Sequence, residues 1–225
     1  MESDSTNFEF LGMNTTSVNQ TELTLLAPGT TLENIDNLCK EAVENNYAAV
    51  CVPPLFVKKA ATCLQHSKTN VATVVGYPYG YNVVEAKLAE IIMAMVDGVD
   101  ELNVVANMTA LKNNDWQYLA RELNTILPVI QKQGKQIKIV VEANLLSTEE
   151  LVKCCDLYGI AGVNFLSLSS GFTENIPSAE MVAQIRKHLA DQVEIMFTAH
   201  FAQLEDQAAY IKNGLTRIGT QFIVK

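Results

Sequence analysis

Residues 48–75 read AAVCVPPLFVKKAATCLQHSKTNVATVV, and this stretch decides the fold. Its two ends, Ala48–Val52 and Val71–Val75, are short, β-branched and apolar almost throughout. Strands of that kind lie in parallel sheets covered on both faces, whereas a half-solvated strand alternates apolar and polar residues. Between them, Leu55–His66 carries the 3.6-residue spacing of an amphipathic helix. The unit is therefore strand, crossover helix, parallel strand.

The same alternation runs outward in both directions. Strands are predicted at Leu23–Leu26, Ala48–Val52, Asn70–Val75, Glu101–Val105, Ile137–Glu142, Gly162–Ser167, Glu194–Ala199 and Arg217–Thr220. Helices are predicted at Leu32–Asn46, Leu55–His66, Val83–Val96, Trp116–Gln133, Thr148–Tyr158, Ala179–Leu189 and Leu204–Asn213. Several boundaries have local causes. Ser147 with Glu150 forms a capping-box pattern, Ser178 precedes a helix start, Asp97-Gly98 ends the third helix, and Gly214 closes the last. Eight strands joined by seven helices predict an α/β fold, the (β/α)8 TIM barrel with parallel strands. An open doubly wound sheet, which usually stops at five or six strands, is the second choice. Residues 21–225 are expected to form one barrel domain, and the polar segment 1–20 a tail with no secretory signal pattern.

Composition narrows the function. With 225 residues and 48% hydrophobic content, the chain can bury a large core unaided. A formal net charge of -9 argues against nucleic acid or an anionic membrane as the main partner. No apolar run is long enough to span a bilayer. Cys39, Cys51, Cys63, Cys154 and Cys155 are odd in number and lack zinc spacing. They are expected to be reduced, mostly buried thiols of a cytoplasmic protein.

In a barrel of this kind, chemistry sits at the C-terminal strand ends and the loops that follow. That singles out Pro53-Pro54, Gly76–Gly80, Asn103–Asn107, Glu142–Asn144, Ser167–Phe172, Thr198–Ala202 and Gly219–Gln221. No P-loop, dinucleotide fingerprint or His/Cys metal cluster is present in the sequence. Of His66, His188 and His200, only His200 falls at a strand end.

From Glu22 to Thr220 the chain resembles the deoxyribose-phosphate aldolase family. The resemblance is carried by ELTLLAP (22–28), LCKEA (38–42), AVCVPP (49–54), TVVGYPYG (73–80), GVDELNVVAN (98–107), KIVVE (138–142) and RIGT (217–220). It implies a class I aldolase, in which a lysine amine of depressed pKa forms a Schiff base with a carbonyl. It implies reversible cleavage of 2-deoxy-D-ribose 5-phosphate to glyceraldehyde 3-phosphate and acetaldehyde, without metal or organic cofactor. A homodimer and a small-molecule ligand of the sugar-phosphate class are implied as partners.

The family's catalytic positions are substituted here. Ser167 stands where the Schiff-base lysine opens a K-T-S-T-G run, Met196 where a second lysine opens K-A-S-G-G-I-R, and Asn103 at the proton-shuttling aspartate of D-E-I-D. A hydroxyl forms no iminium, a thioether carries no charge, and a neutral amide exchanges no proton at ordinary pH. At the implied phosphate site Ser170 and Gly171 remain. Ala199 and His200 replace the glycine pair, and Gly219, Thr220 and Gln221 end the last strand.

Three readings follow. In the first, the barrel has lost Schiff-base chemistry and serves ligand binding or assembly. In the second, it is an active lyase with the nucleophile relocated to Lys138, an amine of the fifth strand with Glu142, of equal parity, as its proton partner. In the third, Cys51, His200 and Glu142 run another reaction, with Tyr77, Tyr79 and Tyr81 stacking on a ligand or covering the mouth.

Overall fold

The structure is a computed structural model that describes residues 20–173, 176–199 and 207–222. Eight parallel strands close into a barrel in sequence order. They are β1 (Thr21–Thr24), β2 (Ala49–Val52), β3 (Asn70–Val75), β4 (Glu101–Val105), β5 (Gln136–Val140), β6 (Phe165–Ser167), β7 (Glu194–Ala199) and β8 (Arg217–Gln221). β8 returns to β1 with Gly219 beside Glu22, which closes the ring and excludes the open doubly wound sheet.

The helices between them are α1 (Leu32–Glu44), α2 (Val57–Leu64), α3 (Val84–Val96), α4 (Met108–Lys112), α5 (Trp116–Lys132), α6 (Thr148–Ala161), α7 (Ala179–His188) and α8 (Gln207–Lys212). They lay apolar faces on the barrel wall: Ile35 and Leu38 from α1, Ile91 from α3, Leu119, Ile126 and Ile130 from α5, and Val182 and Ile185 from α7 are all buried. Each such side chain contributes roughly 1.5–3 kcal/mol relative to exposure. The capping box at α6 is formed as expected, with Ser147 accepting from the Glu150 N–H and the Glu150 carboxylate accepting from the Ser147 N–H.

Several boundaries differ from the sequence expectation by a few residues, and three differences have a local cause. β1 begins at Thr21, because Glu22 and Thr24 face the barrel interior and Leu23 and Leu25 face the helices. Helix α6 runs on to Ala161 and ends on Gly162, whose φ of 73° makes it a left-handed cap, so β6 starts only at Phe165. The short α4 was not expected. It is nucleated by Asn107, whose side chain accepts from the Ala110 N–H. The expected tail lies outside the described residues apart from Gln20, whose carbonyl already accepts from Ile218. Leu204–Asp206 of the last predicted helix lie outside them as well. Among the described residues no helix is long and apolar enough to cross a membrane.

Candidate functional site

The barrel interior is built in two levels. The lower level is ionic. Lys138 on β5, buried with 0% side-chain exposure, pairs with Glu22 of β1 and lies 2.5 Å from Glu101 of β4. Arg217 of β8 reaches the same Glu101 at 2.5 Å, and its guanidinium stacks 4.6 Å from the Phe165 ring centroid. Asn70 donates to the other Glu101 oxygen at 2.7 Å. Two carboxylates and two cations thus neutralise one another inside the wall.

This network decides the state of Lys138. Burial, the strongest influence, pulls its pKa down, but the carboxylates of Glu22 and Glu101 outweigh it and hold the amine above the ordinary lysine value, with Arg217 opposing them. For Glu101, burial pushes the pKa up, and Lys138 and Arg217 overcome it to hold the carboxyl at about 2. Lys138 is therefore a structural ammonium, the opposite of the free amine that a Schiff base requires.

The upper level is a pocket lined by Glu22, Thr24, Cys51, Asn103, Ser167, Ser169, Ser170, Met196 and Thr198, with Tyr77 at its mouth. The structure thus brings together Asn103, Ser167, Met196 and Ser170. Ser167 donates to the Ser169 carbonyl at 3.1 Å. Asn103 donates through its amide nitrogen to Glu22 at 3.1 Å and to the Cys51 sulfur at 3.3 Å. Met196 is buried beside them. Cys51 has a pKa raised well above the ordinary thiol value, chiefly by burial and next by Glu22, so it is an unreactive thiol.

Other expected residues fall elsewhere. Glu142 is not the partner of Lys138. It lies past the end of β5 and accepts from the Ser170 N–H at 3.0 Å, the Ser170 hydroxyl and the Thr173 hydroxyl at 2.9 Å, tying the loop after β6. The equal parity of Lys138 and Glu142 is real, but four residues of rise separate their levels. Ala199 and Thr220 are buried and do not line the pocket, because β7 and β8 turn the alternate residues inward. Thr198 is the inward residue of β7. A Cβ built on Gly171 would meet its Cγ2 at 2.7 Å, and one on Gly219 its Oγ1 at 2.4 Å. Gln221 donates to the Gly171 carbonyl at 3.3 Å. His200 lies outside the described residues.

Over the mouth, Tyr77 and Tyr79 meet Phe172 edge-on at 6.0 and 5.5 Å, and exposed Tyr81 packs on Tyr79 at 5.5 Å. Among the described residues no group of His, Cys, Asp and Glu is arranged to hold a metal.

The profile of DeoC/LacD family aldolases matches residues 13–146. The deoxyribose-phosphate aldolase of Clostridium perfringens strain 13 is 36% identical over 196 residues, 87% of each chain. The chain belongs to the DeoC/LacD family of aldolases. The deoxyribose-phosphate aldolase of Thermococcus gammatolerans is also 36% identical, over 199 residues and 88% of each chain. Among solved structures, QR15, an aldolase, superposes with a TM-score of 0.83 at 28% identity, over 91% of this chain and 90% of that one. A deoxyribose-phosphate aldolase from Aeropyrum pernix shares the fold, with a TM-score of 0.83 at 22% identity over 92% and 88% of the chains.

Sequence reasoning missed Glu22, Glu101 and Arg217 as site residues. A signal existed for all three. Each is an ionisable side chain within a strand of the barrel, with inward parity: Glu101 is two residues from Asn103, and Arg217 two from Gly219.

Proposed function

We propose that this DeoC-family barrel binds a small molecule without forming a Schiff base. One observation carries the reading. Among the described residues the one lysine inside the barrel is Lys138, which two buried carboxylates hold as an ammonium. The residues that face the pocket above it are a hydroxyl at Ser167, a thioether at Met196 and a neutral amide at Asn103. None of these three can hold a substrate carbon covalently as an iminium or carry a second positive charge. Relocation of the nucleophile to Lys138 would require the amine to leave Glu22 and Glu101, taking from buried Glu22 its cation.

The test is reductive trapping. The purified protein is incubated with acetaldehyde or 2-deoxy-D-ribose 5-phosphate and borohydride, and its intact mass is recorded beside that of an active aldolase. The expected result is an unchanged mass. A stoichiometric, substrate-dependent adduct mapped to a single lysine overturns the reading and names the nucleophile.

A further inference from the structure

Two polar atoms of residues that line the pocket have no hydrogen-bond partner among the described residues: Asn103 Oδ1 and Thr24 Oγ1. Their residues are only 7% and 5% exposed. A buried polar atom without a partner costs about 1–3 kcal/mol, so such atoms mark where another molecule's polar group belongs. The Asn103 amide cannot escape by turning over. Its nitrogen faces the Glu22 carboxylate at 3.1 Å, and the flipped amide would set oxygen against oxygen. Oδ1 is thereby committed to the pocket as a pure acceptor. Ser167 has already donated its proton to the Ser169 carbonyl, so its remaining capacity is also accepting.

Among the described residues the pocket offers little to an anion. Lys138 and Arg217 are consumed by Glu22 and Glu101 beneath it. The three consecutive N–H groups after β6 are occupied internally: Ser170 donates to Glu142 at 3.0 Å, Gly171 to Ser169 Oγ at 3.1 Å, and Phe172 to Ser170 Oγ at 3.2 Å. Thr198 fills the space between Gly171 and Gly219, where bare backbone would otherwise face a ligand. The remaining walls are Leu26, Val74, Val105, Val140 and Met196, which suit C–H surface.

We infer that the pocket takes a hydroxyl group of an uncharged compound, in place of the phosphate ester that family resemblance implies. One hydroxyl of the ligand donates to Asn103 Oδ1 and engages Thr24. The free space of the pocket is about 10 Å³, room for one such oxygen. This inference rests on the non-covalent reading above, since a substrate bound as an iminium needs no acceptor at that point.

The test is titration calorimetry of the full chain with 2-deoxy-D-ribose and with its 5-phosphate, repeated on Thr24→Val and Ser167→Ala. The expected result is that the free sugar binds at least as tightly as the ester. Thr24→Val, which keeps the side-chain shape, weakens the sugar by about five- to tenfold, the worth of one hydrogen bond. Ser167→Ala provides a second readout from the opposite wall should Thr24→Val fold poorly, with weakening of the same order. Three results overturn the inference: no heat with the free sugar at millimolar concentration, an ester bound roughly ten times tighter, or sugar affinity untouched by the substitution on the variant that folds. Borohydride trapping on the same preparation separates the two levels of argument. An adduct removes the non-covalent reading, whereas no adduct and no sugar binding removes this inference alone.

Discussion

Among the described residues two lysines are wholly buried, and their surroundings push them in opposite directions. Lys138 inside the barrel meets two carboxylates and is held above the ordinary lysine pKa. Lys87 of α3, outside the wall, meets Glu122 at 2.6 Å and the Val105 carbonyl at 2.7 Å. With one carboxylate instead of two, burial wins and its pKa falls below the ordinary value, despite Glu122 and Glu90. Glu122 answers in kind: burial lifts its pKa, and Lys87 only partly opposes this. Depth of burial alone therefore does not prepare an amine for catalysis. The amine with a depressed pKa lies behind the wall, and the amine inside the barrel is locked in its charged form.

The largest effect expected of this contrast is on stability. Lys138→Met removes the centre of the ionic level and leaves Glu22 without a cation, with only the Asn103 amide as a partner, and Glu101 with Arg217 and Asn70. Removing one partner of a buried pair costs about 3–5 kcal/mol. Urea unfolding at neutral pH measures the loss. A loss below about 1 kcal/mol, the range of exposed pairs, would mean that the network is solvated and the amine freer than its burial indicates.

Acid unfolding probes the same network more gently. Glu101 has a folded pKa of about 2, below its unfolded value, so its stabilisation is present above the unfolded pKa and disappears as pH falls toward 2. The expected contribution is on the order of 3 kcal/mol at neutral pH. Glu101→Gln should flatten the acid limb of a stability-against-pH curve. Lys138 has the reverse sign: its contribution is complete below the unfolded lysine pKa and is lost only as pH rises through the folded value. An acid limb identical in Glu101→Gln and the parent protein would place the network's titration elsewhere.

A smaller effect belongs to Lys87→Met. It strands a single carboxylate, and Glu122 already has a raised pKa and can accept a proton. We expect a loss of about 2–3 kcal/mol at neutral pH, shrinking as pH is lowered and Glu122 neutralises. A loss that grows on acidification would contradict the direction assigned to Glu122.

The sequence made the barrel legible because its evidence is repeated. Strand runs such as Ala48–Val52 and Ile137–Val141 are apolar nearly throughout, and the capping box at Ser147–Glu150 marks a helix start. Errors fell where one residue serves two elements. Gly162 read as the start of a strand and is the cap of a helix, and Asn107 ended a matched motif and also nucleates α4. Within the site, residue types could be placed at strand ends, but pairing could not. The sequence suggested Glu142 for Lys138 by parity on one strand, while the true partners come from β1 and β4, both earlier in the chain and more than thirty residues away. Such a choice depends on the stagger of the closed barrel, which no single strand encodes.

The smallest expected stability effect carries the sharpest test of the contrast. Ser167→Lys would place an amine in the upper level, near Met196 and across the pocket from Asn103, none of which bears charge. Glu22 lines the same pocket, but Lys138 already engages it. A lysine there has burial acting on it with little carboxylate support, the condition that lowers the pKa of Lys87. The larger side chain also has to open a nearly filled floor, at a cost of about 1–3 kcal/mol. We expect Ser167→Lys to stay folded and to trap acetaldehyde under borohydride at mildly alkaline pH, at position 167, where the parent protein traps none. Turnover should remain absent, because Asn103 cannot shuttle a proton; adding Asn103→Asp should raise product formation above that background. If Ser167→Lys traps nothing while folding normally, Glu22 must hold the new amine as it holds Lys138. The charge of the lower level, rather than the residues missing from the upper one, would then be what keeps this barrel from Schiff-base chemistry.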